Sequence, residues 1–250
     1  MVEQATIVLI PARLGSQRLP NKPLADIGGA PMIVQVWRCA CEAGVGPVVV
    51  ACAEAEIAAA VEAHGGEAAL TDPDLPSGTD RIFQALRQID PEGRFERVIN
   101  LQGDLPTLDP TAIRAVIAPI DQLRTDLGTL ATAIQDPEER DDPNVVKPVI
   151  ATDPEHPRLG RALYFSRATV PSGEGPVYHH IGIYAYRRAA LERLAVLPPS
   201  PLELRERLEQ LRALENGLTI GVALVDTIPL GVDTPRDLER ARALFAGAAR

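Results

Sequence analysis

An α/β fold on a doubly wound, mostly parallel sheet is what this sequence predicts. Three observations carry it: short apolar runs without alternation, helical stretches of about 10–15 residues between them, and glycine or proline at the junctions. Residues 6–10 (TIVLI) form a β-branched apolar run that reads as a strand buried on both faces. Residues 31–43 have helical periodicity, with Met32, Val36 and Cys39 on one stripe, Pro31 suited to a first turn and Gly44 to a stop. Residues 47–52 (PVVVAC) repeat the buried-strand pattern, and 54–64 read as an Ala-rich helix closed by Gly65 and Gly66. A helix over 79–89 and a strand over 97–101 (RVINL) follow. Beyond Asp136 the pattern changes: 145–151, 162–166 and 181–186 read as strands separated only by loops, an antiparallel addition. These strands predict a small β-rich lobe inserted at roughly 140–190 into a single domain spanning 1–250. A long helix is then expected over 202–215, a strand over 219–225 and a terminal helix over 235–245.

The chain is 46% apolar and 24% charged, which supports a sizeable core and excludes disordered and coiled-coil classes. Its longest near-apolar run is too short to span a membrane, so no membrane insertion is expected. The first residues lack the basic start of a secretory signal, and three cysteines without a metal spacing suit a reducing cytoplasm, the expected location. A formal net charge of −9 argues against nucleic acid as a partner. Only two of the 25 basic residues are Lys, namely Lys22 and Lys147, which raises the question of what an ammonium does there that a guanidinium cannot.

In an open α/β sheet, ligands sit at the carboxyl ends of the strands. The loop after the first strand carries Arg13, Arg18 and Lys22 with no acid of its own, a concentration of positive charge suited to a polyphosphate. It matches neither a dinucleotide nor a P-loop fingerprint. The loop after RVINL reads Gln102-Gly103-Asp104-Leu105-Pro106, where Asp104 is either a metal position or the cap of the next turn. Asp233, before Pro235, is likewise either a site carboxylate or a plain helix cap. Ser77-Gly-Thr-Asp-Arg81 opens a helix and offers an anion or base contact beside its capping role.

Taken in order, the segments Pro11-Ala-Arg…Ser16-x-Arg18-Leu-Pro-x-Lys22-Pro-Leu, Ser77-Gly-Thr-x-Arg81, Asn100-x-Gln102-Gly-Asp104-x-Pro106, Leu163-Tyr-Phe-Ser-Arg167, His180-Ile-Gly-Ile-Tyr184, Ser200-Pro-Leu-Glu, Leu208-Glu-Gln-Leu-Arg212 and Gly231-Val-Asp-Thr-Pro235 resemble the 3-deoxy-manno-octulosonate cytidylyltransferases. The resemblance runs from Ile7 to Leu238. The first motif is shared with CMP-sialic acid synthetases, whereas the Tyr-Phe-Ser-Arg, His-x-Gly-x-Tyr and Leu-Glu-Gln-Leu-Arg motifs are the more specific part. Two departures stand out: Leu105 stands where the family usually has Glu, and the loop before His179 is short.

The resemblance implies a nucleotidyltransferase-type fold and a soluble homodimer. It implies transfer of CMP from CTP to the anomeric hydroxyl of the eight-carbon acid sugar Kdo, with release of pyrophosphate, for lipopolysaccharide biosynthesis. It places Arg13, Arg18 and Lys22 at the triphosphate, with Ala12, Ser77, Arg81, Gln102 and Gly103 completing the nucleotide side. Asp104 and Asp233 would share Mg²⁺ and, with Lys22, form the catalytic set. Gln102, Arg167, His180, Tyr184, Glu209 and Gln210 would hold the sugar. His179 and His180 would point to opposite faces of a strand, so a shared metal is not expected. Tyr184 is read as a site residue, against core packing beside Tyr186.

Overall fold

The computed structural model describes residues 5–15 and 18–248. They fall into two compact units, one made of the segments before Arg114 and after Ile228, the other of Arg114–Ile228.

In the first unit the strands are β1 (Thr6–Ala12), β2 (Asp26–Ile27), β3 (Ala30–Pro31), β4 (Val48–Cys52), β5 (Glu67–Leu70) and β6 (Arg97–Asn100). β5, β4, β1 and β6 lie side by side in that order, all parallel, with Val8 opposite both Val48 and Ile99. Strands so placed are covered on both faces, which is why TIVLI and VVVAC carry no polar alternation. Helices α1 (Met32–Ala43), α2 (Ala55–Glu62) and α3 (Gly78–Ile89) connect them. Gly44 ends α1 in the left-handed region at φ 65°, and Ser77 caps α3 by accepting the Asp80 N–H. β2 and β3 form a separate hairpin. Cys39 and Cys52 are buried and Cys41 is exposed, all as free thiols.

The last helix, α10 (Pro235–Ala248), belongs to this unit. Its Leu238 and Ala241 pack with Val232 against Leu19, Ile27 and Met32. This apolar cluster returns the end of the chain to the loop after β1, and two polar ties fix the approach. Val232 N–H donates to Asp104 O (2.9 Å), and Leu230 N–H to the Thr107 hydroxyl (2.8 Å).

In the second unit β7 (Leu127–Ala133), β8 (Lys147–Thr152), β9 (Leu159–Ser166), β10 (Tyr178–Arg187) and β11 (Ile220–Leu224) take the order β10-β7-β11-β9-β8. Only β7 and β11 are parallel to each other; the other pairs are antiparallel. The strands expected within 145–186 thus lie in one sheet with β7 and β11. β8 pairs with β9, as consecutive strands should, but β10 pairs with β7. Short helices fill the connections: α4 (Pro110–Ala115) at the boundary of the units, then α5 (Ala118–Gln122), α6 (Pro137–Asp141) and α7 (Arg188–Ala195).

The single long helix expected over 202–215 is two: α8 (Pro201–Glu206) and α9 (Gln210–Glu215). Arg207 adopts the left-handed conformation at φ 56°, and Leu208, buried, turns back so that its N–H reaches Glu203 O. The fold gains a buried pair from this break: Arg212 Nε donates to Glu203 Oε2 at 2.7 Å, and Glu203 also accepts from Ser200 N–H as half of a capping box. Much of the Ser200…Arg212 motif is therefore spent on folding this corner. No helix among the described residues is long and apolar enough to cross a membrane.

Candidate active site

A cavity of about 520 Å³ opens in the first unit beyond the carboxyl ends of β1 and β6. Every residue assigned from sequence to the nucleotide lines it: Ala12, Arg13, Arg18, Lys22, Ser77, Arg81, Gln102 and Gly103, together with Asp104 and Asp233. Its walls close tightly on the backbone. A Cβ on Gly103 would lie 2.9 Å from Pro11 O, and one on Gly78 would lie 3.3 Å from the Pro11 ring. The loop after β1 is tied down by Leu14 N–H, which donates to Glu54 at 3.1 Å.

Lys22 begins a short 3₁₀ turn and is the centre of the polar arrangement. Its Nζ donates to Asp104 Oδ2 at 2.9 Å and to Asp233 Oδ1 at 3.0 Å. Arg18 Nη2 lies 3.1 Å from Asp233 Oδ2. The loop's positive charge, expected to stand without acid partners, is thus met by two carboxylates from distant segments. Burial works against the Lys22 charge, but Asp104 and Asp233 outweigh it and hold the pKa above the usual lysine value.

Neither carboxylate is the helix cap that the sequence left open. Thr234 and Asp237 cap α10: the Thr234 hydroxyl accepts from Asp237 N–H, and Asp237 accepts from the N–H groups of Asp233 and Thr234. Asp109 takes the corresponding role before α4, accepting from Thr111 N–H at 2.7 Å. Leu105 is half-buried, with Cδ2 3.8 Å from where a Cβ on Gly231 would sit. It packs hydrophobically against the segment leading to Asp233.

Arg81 lines the cavity but is buried, and its guanidinium is engaged elsewhere. Nη1 donates to the Thr71 hydroxyl (2.6 Å) and to Asp72 O (3.1 Å), pinning the loop after β5. Ser77 combines its capping role with a place on the cavity wall. Pro11, Gly15, Pro23, Leu75 and Gly78 also line the cavity; no role of their own was read for them from sequence, since small and apolar residues carry no chemical signal.

Five of the residues assigned to the sugar lie in the second unit; Gln102 lies in the first. His180 and Tyr184, on β10, have ring centroids 5.6 Å apart, and Phe165 meets His180 edge-on at 5.1 Å. Burial, then the neighbouring Tyr186 and Glu209, push the Tyr184 hydroxyl well above its usual pKa. Tyr184 also packs against Tyr186 at 6.0 Å, the contact that the sequence had set against a site role. Burial, aided by His179, lowers the His180 imidazole to about 3. As expected for a strand, His179 turns the other way, to Glu139 (3.3 Å), while His180 meets Thr129. Gln210 is buried at the start of α9, beside Glu209.

Arg167 is bound more fully than the sequence suggests. Nε donates to Glu206 O (2.9 Å), Nη1 to Pro143 O (2.9 Å) and Nη2 to Arg207 O (3.4 Å). Glu206, missed from sequence, returns the tie by accepting from Arg167 N–H (3.0 Å) and the Ser166 hydroxyl (2.9 Å). Lys147 is fully buried and caps main-chain oxygens of Asp142 (2.5 Å) and Arg167 (3.3 Å). The two lysines therefore differ in kind: one faces the cavity, the other staples a turn to β9.

Parallel strands ending at a basic, two-carboxylate cavity define a nucleotide-handling α/β protein, and the cytidylyltransferase family model matches residues 7–220. A 3-deoxy-manno-octulosonate cytidylyltransferase of Paramagnetospirillum magneticum is 64% identical over 98% of this chain and 99% of its own length. The enzyme of the same name from Rhodospirillum rubrum is 64% identical over 96% of each chain. Among solved structures, a CMP:2-keto-3-deoxy-manno-octonic acid synthetase complexed with CTP superimposes with a TM-score of 0.89 at 39% identity, covering 98% of this chain and 100% of that one. The chain belongs to the 3-deoxy-manno-octulosonate cytidylyltransferase family.

Proposed function

We propose that this protein activates Kdo with CTP, giving CMP-Kdo and pyrophosphate for lipopolysaccharide biosynthesis. The observation that carries the reading is the meeting of Arg13, Arg18 and Lys22 with Asp104 and Asp233 around one cavity, in a chain 64% identical to a named enzyme of this activity over almost its full length. The sugar's anomeric oxygen forms a bond to the α-phosphorus, the bond to the bridging oxygen breaks, and pyrophosphate leaves. Positioning and charge do most of the work in such a transfer. Arg13 and Arg18 face the triphosphate, and Lys22, a compact cation, neutralises the leaving group. Main-chain groups near Ala12 and Gly103, which line the cavity, are the candidates for reading the cytosine edge. Arg167 after β9, His180 and Tyr184 on β10, and Glu209 and Gln210 at the start of α9 are the second unit's groups assigned to the sugar.

The donor set fits Mg²⁺: two carboxylates, all-oxygen and converging on the Lys22 ammonium, would hold the ion while phosphate oxygens and water complete its shell. When bound, the ion supplies Lewis acidity toward phosphate and the attacking hydroxyl. We further infer a cytoplasmic homodimer, for which Leu163, 61% exposed on β9, offers apolar surface; sedimentation velocity reads the oligomeric state.

The test is pyrophosphate release from each of the four nucleoside triphosphates with Kdo, with its amino-substituted analogue and with sialic acid. Release with CTP and Kdo well above the other pairs is expected. Equal rates with sialic acid, or preference for another nucleotide, would overturn the assignment.

A further inference from the structure

Thr129 was not among the residues marked by sequence, yet it stands under the sugar site. It is fully buried on β7, between β10 and β11. A threonine hydroxyl carries one proton and can donate once. Here Oγ1 lies 2.8 Å from Ile183 O, 3.3 Å from Ile181 O and 2.9 Å from His180 Nε2. The two carbonyls can only accept, and the shortest contact, 2.8 Å to Ile183 O, takes the hydroxyl proton. The third contact is then satisfied only if Nε2 carries a proton and donates to Oγ1. That fixes the neutral imidazole as the Nε2–H form and leaves Nδ1 as an acceptor.

The same hydroxyl sits at an irregularity in the ladder. Ile181 is paired with Leu130, and the next pair is Tyr184 with Thr129, so β10 advances three residues where β7 advances one. Gly182 and Ile183 are the extra residues, and a Cβ at Gly182 would meet nothing within 4 Å. In a regular strand, residues four apart are separated by about 13 Å. Here the His180 and Tyr184 ring centroids are 5.6 Å apart. The bulge gathers the strand, and the Thr129 hydroxyl ties one carbonyl just before it, Ile181 O, to one within it, Ile183 O.

Resting on the proposed sugar site, we propose that Thr129 is its positioning residue: its hydroxyl holds His180 as the Nε2–H tautomer, with Nδ1 free to accept from a sugar hydroxyl, and pins the bulge that seats Tyr184 beside it. Sugar selectivity then depends in part on a buried residue that need not touch the sugar. A site that presents an acceptor at a fixed place favours a ligand with a hydroxyl there, because a mismatched ligand leaves the acceptor unpaired.

The test compares Thr129→Val, which keeps shape and loses the hydroxyl, with Thr129→Ser, which keeps the hydroxyl. Nitrogen-15 correlation spectra of the histidines read the tautomer of His180, assigned with His180→Gln. The expected result is an Nε2–H signature in the parent and in Thr129→Ser, lost in Thr129→Val. The KM for Kdo should rise roughly 10-fold in Thr129→Val, as for one buried hydrogen bond lost, with the Kd for CTP unchanged and Thr129→Ser near the parent. An unchanged tautomer in a folded Thr129→Val protein would overturn the proposal. So would a lost tautomer with Kdo kinetics intact, or an equal loss for both substrates. If the parent turns over another acid sugar and not Kdo, the functional reading fails by itself, and the tautomer spectra still decide what Thr129 does.

Discussion

Replacing Lys22 by Met removes the cation that holds two acids together while keeping much of its bulk. In the structure one ammonium bridges Asp104 at 2.9 Å and Asp233 at 3.0 Å, so the two carboxylate oxygens are at most about 6 Å apart. At an effective dielectric of ~20, that separation corresponds to a repulsion of roughly 3 kcal/mol. The acids are 32% and 48% exposed, and Arg18 still faces Asp233, so solvent and Arg18 reduce the exposed repulsion to about 1–2 kcal/mol. Lys22→Met should therefore be less stable than the parent by that amount at pH 7 in the presence of a chelator. Under the proposed function, Mg²⁺ should restore the variant more than it stabilises the parent, because the ion takes a seat the ammonium no longer fills. Turnover with CTP and Kdo should fall about 100-fold or more, the scale of one lost charge contact at a transferring phosphoryl group. Urea unfolding followed by the fluorescence of Trp37, the single tryptophan and a residue of α1 in the same unit, reads the stability directly. Equal midpoints for Lys22→Met and the parent in chelator would refute the reasoning, since the ammonium would then not be what reconciles the two carboxylates.

Three further outcomes follow from the geometry. Arg212→Leu leaves Glu203 buried without its cation and should cost roughly 3–5 kcal/mol in thermal or urea unfolding; a loss under 1 kcal/mol would mean the corner between α8 and α9 does not depend on the pair. The His180 pKa is lowered from 6.5 to about 3, so the unfolded chain binds the proton more readily between those values. Its contribution is fully present above pH 6.5 and is lost as pH falls toward 3, by at most ~1.4 kcal/mol per pH unit. The stability curve of His180→Gln should be flatter across that window, and superimposable curves would contradict the assignment. Glu209→Ala should reduce kcat/KM for Kdo by roughly 5- to 150-fold while the Kd for CTP, measured by calorimetry, stays constant; equal losses would point to damage of α9 instead.

Local pattern was enough for much of the fold. The apolar runs at 6–10 and 47–52, and the 31–43 stripe ended by Gly44, each record a face that must be buried, and all three elements form where the pattern sets them. β7 was not read from sequence: LGTLATA is built largely of Gly, Ala and Thr, too weakly apolar to stand out as a buried run, and its neighbours β10 and β11 make it a strand. The break at Arg207 was hidden for a related reason. Helical periodicity runs across 202–215 unchanged, and what bends the chain is the pairing of Glu203 with Arg212 and of Glu206 with Ser166 and Arg167, from another part of the chain.

The candidate site divides the same way. Residue types and motifs mark Lys22, Asp104 and Asp233 individually, because lysine is scarce in this chain and the order of the motifs resembles a known family. That they meet is a tertiary fact. Lys22 and Asp233 are 211 residues apart, and they are joined by the apolar cluster of α10 and by the Val232–Asp104 main-chain bond, neither of which any local window contains. Thr129 and His180 are 51 residues apart, and the bulge between them alters spacing without altering composition. Sequence alone therefore marked candidate groups for the chemistry and showed which faces are buried. Tertiary structure decided which charges neutralise one another, which tautomer a histidine holds and where a helix stops, because those depend on distances across the fold that no local periodicity encodes.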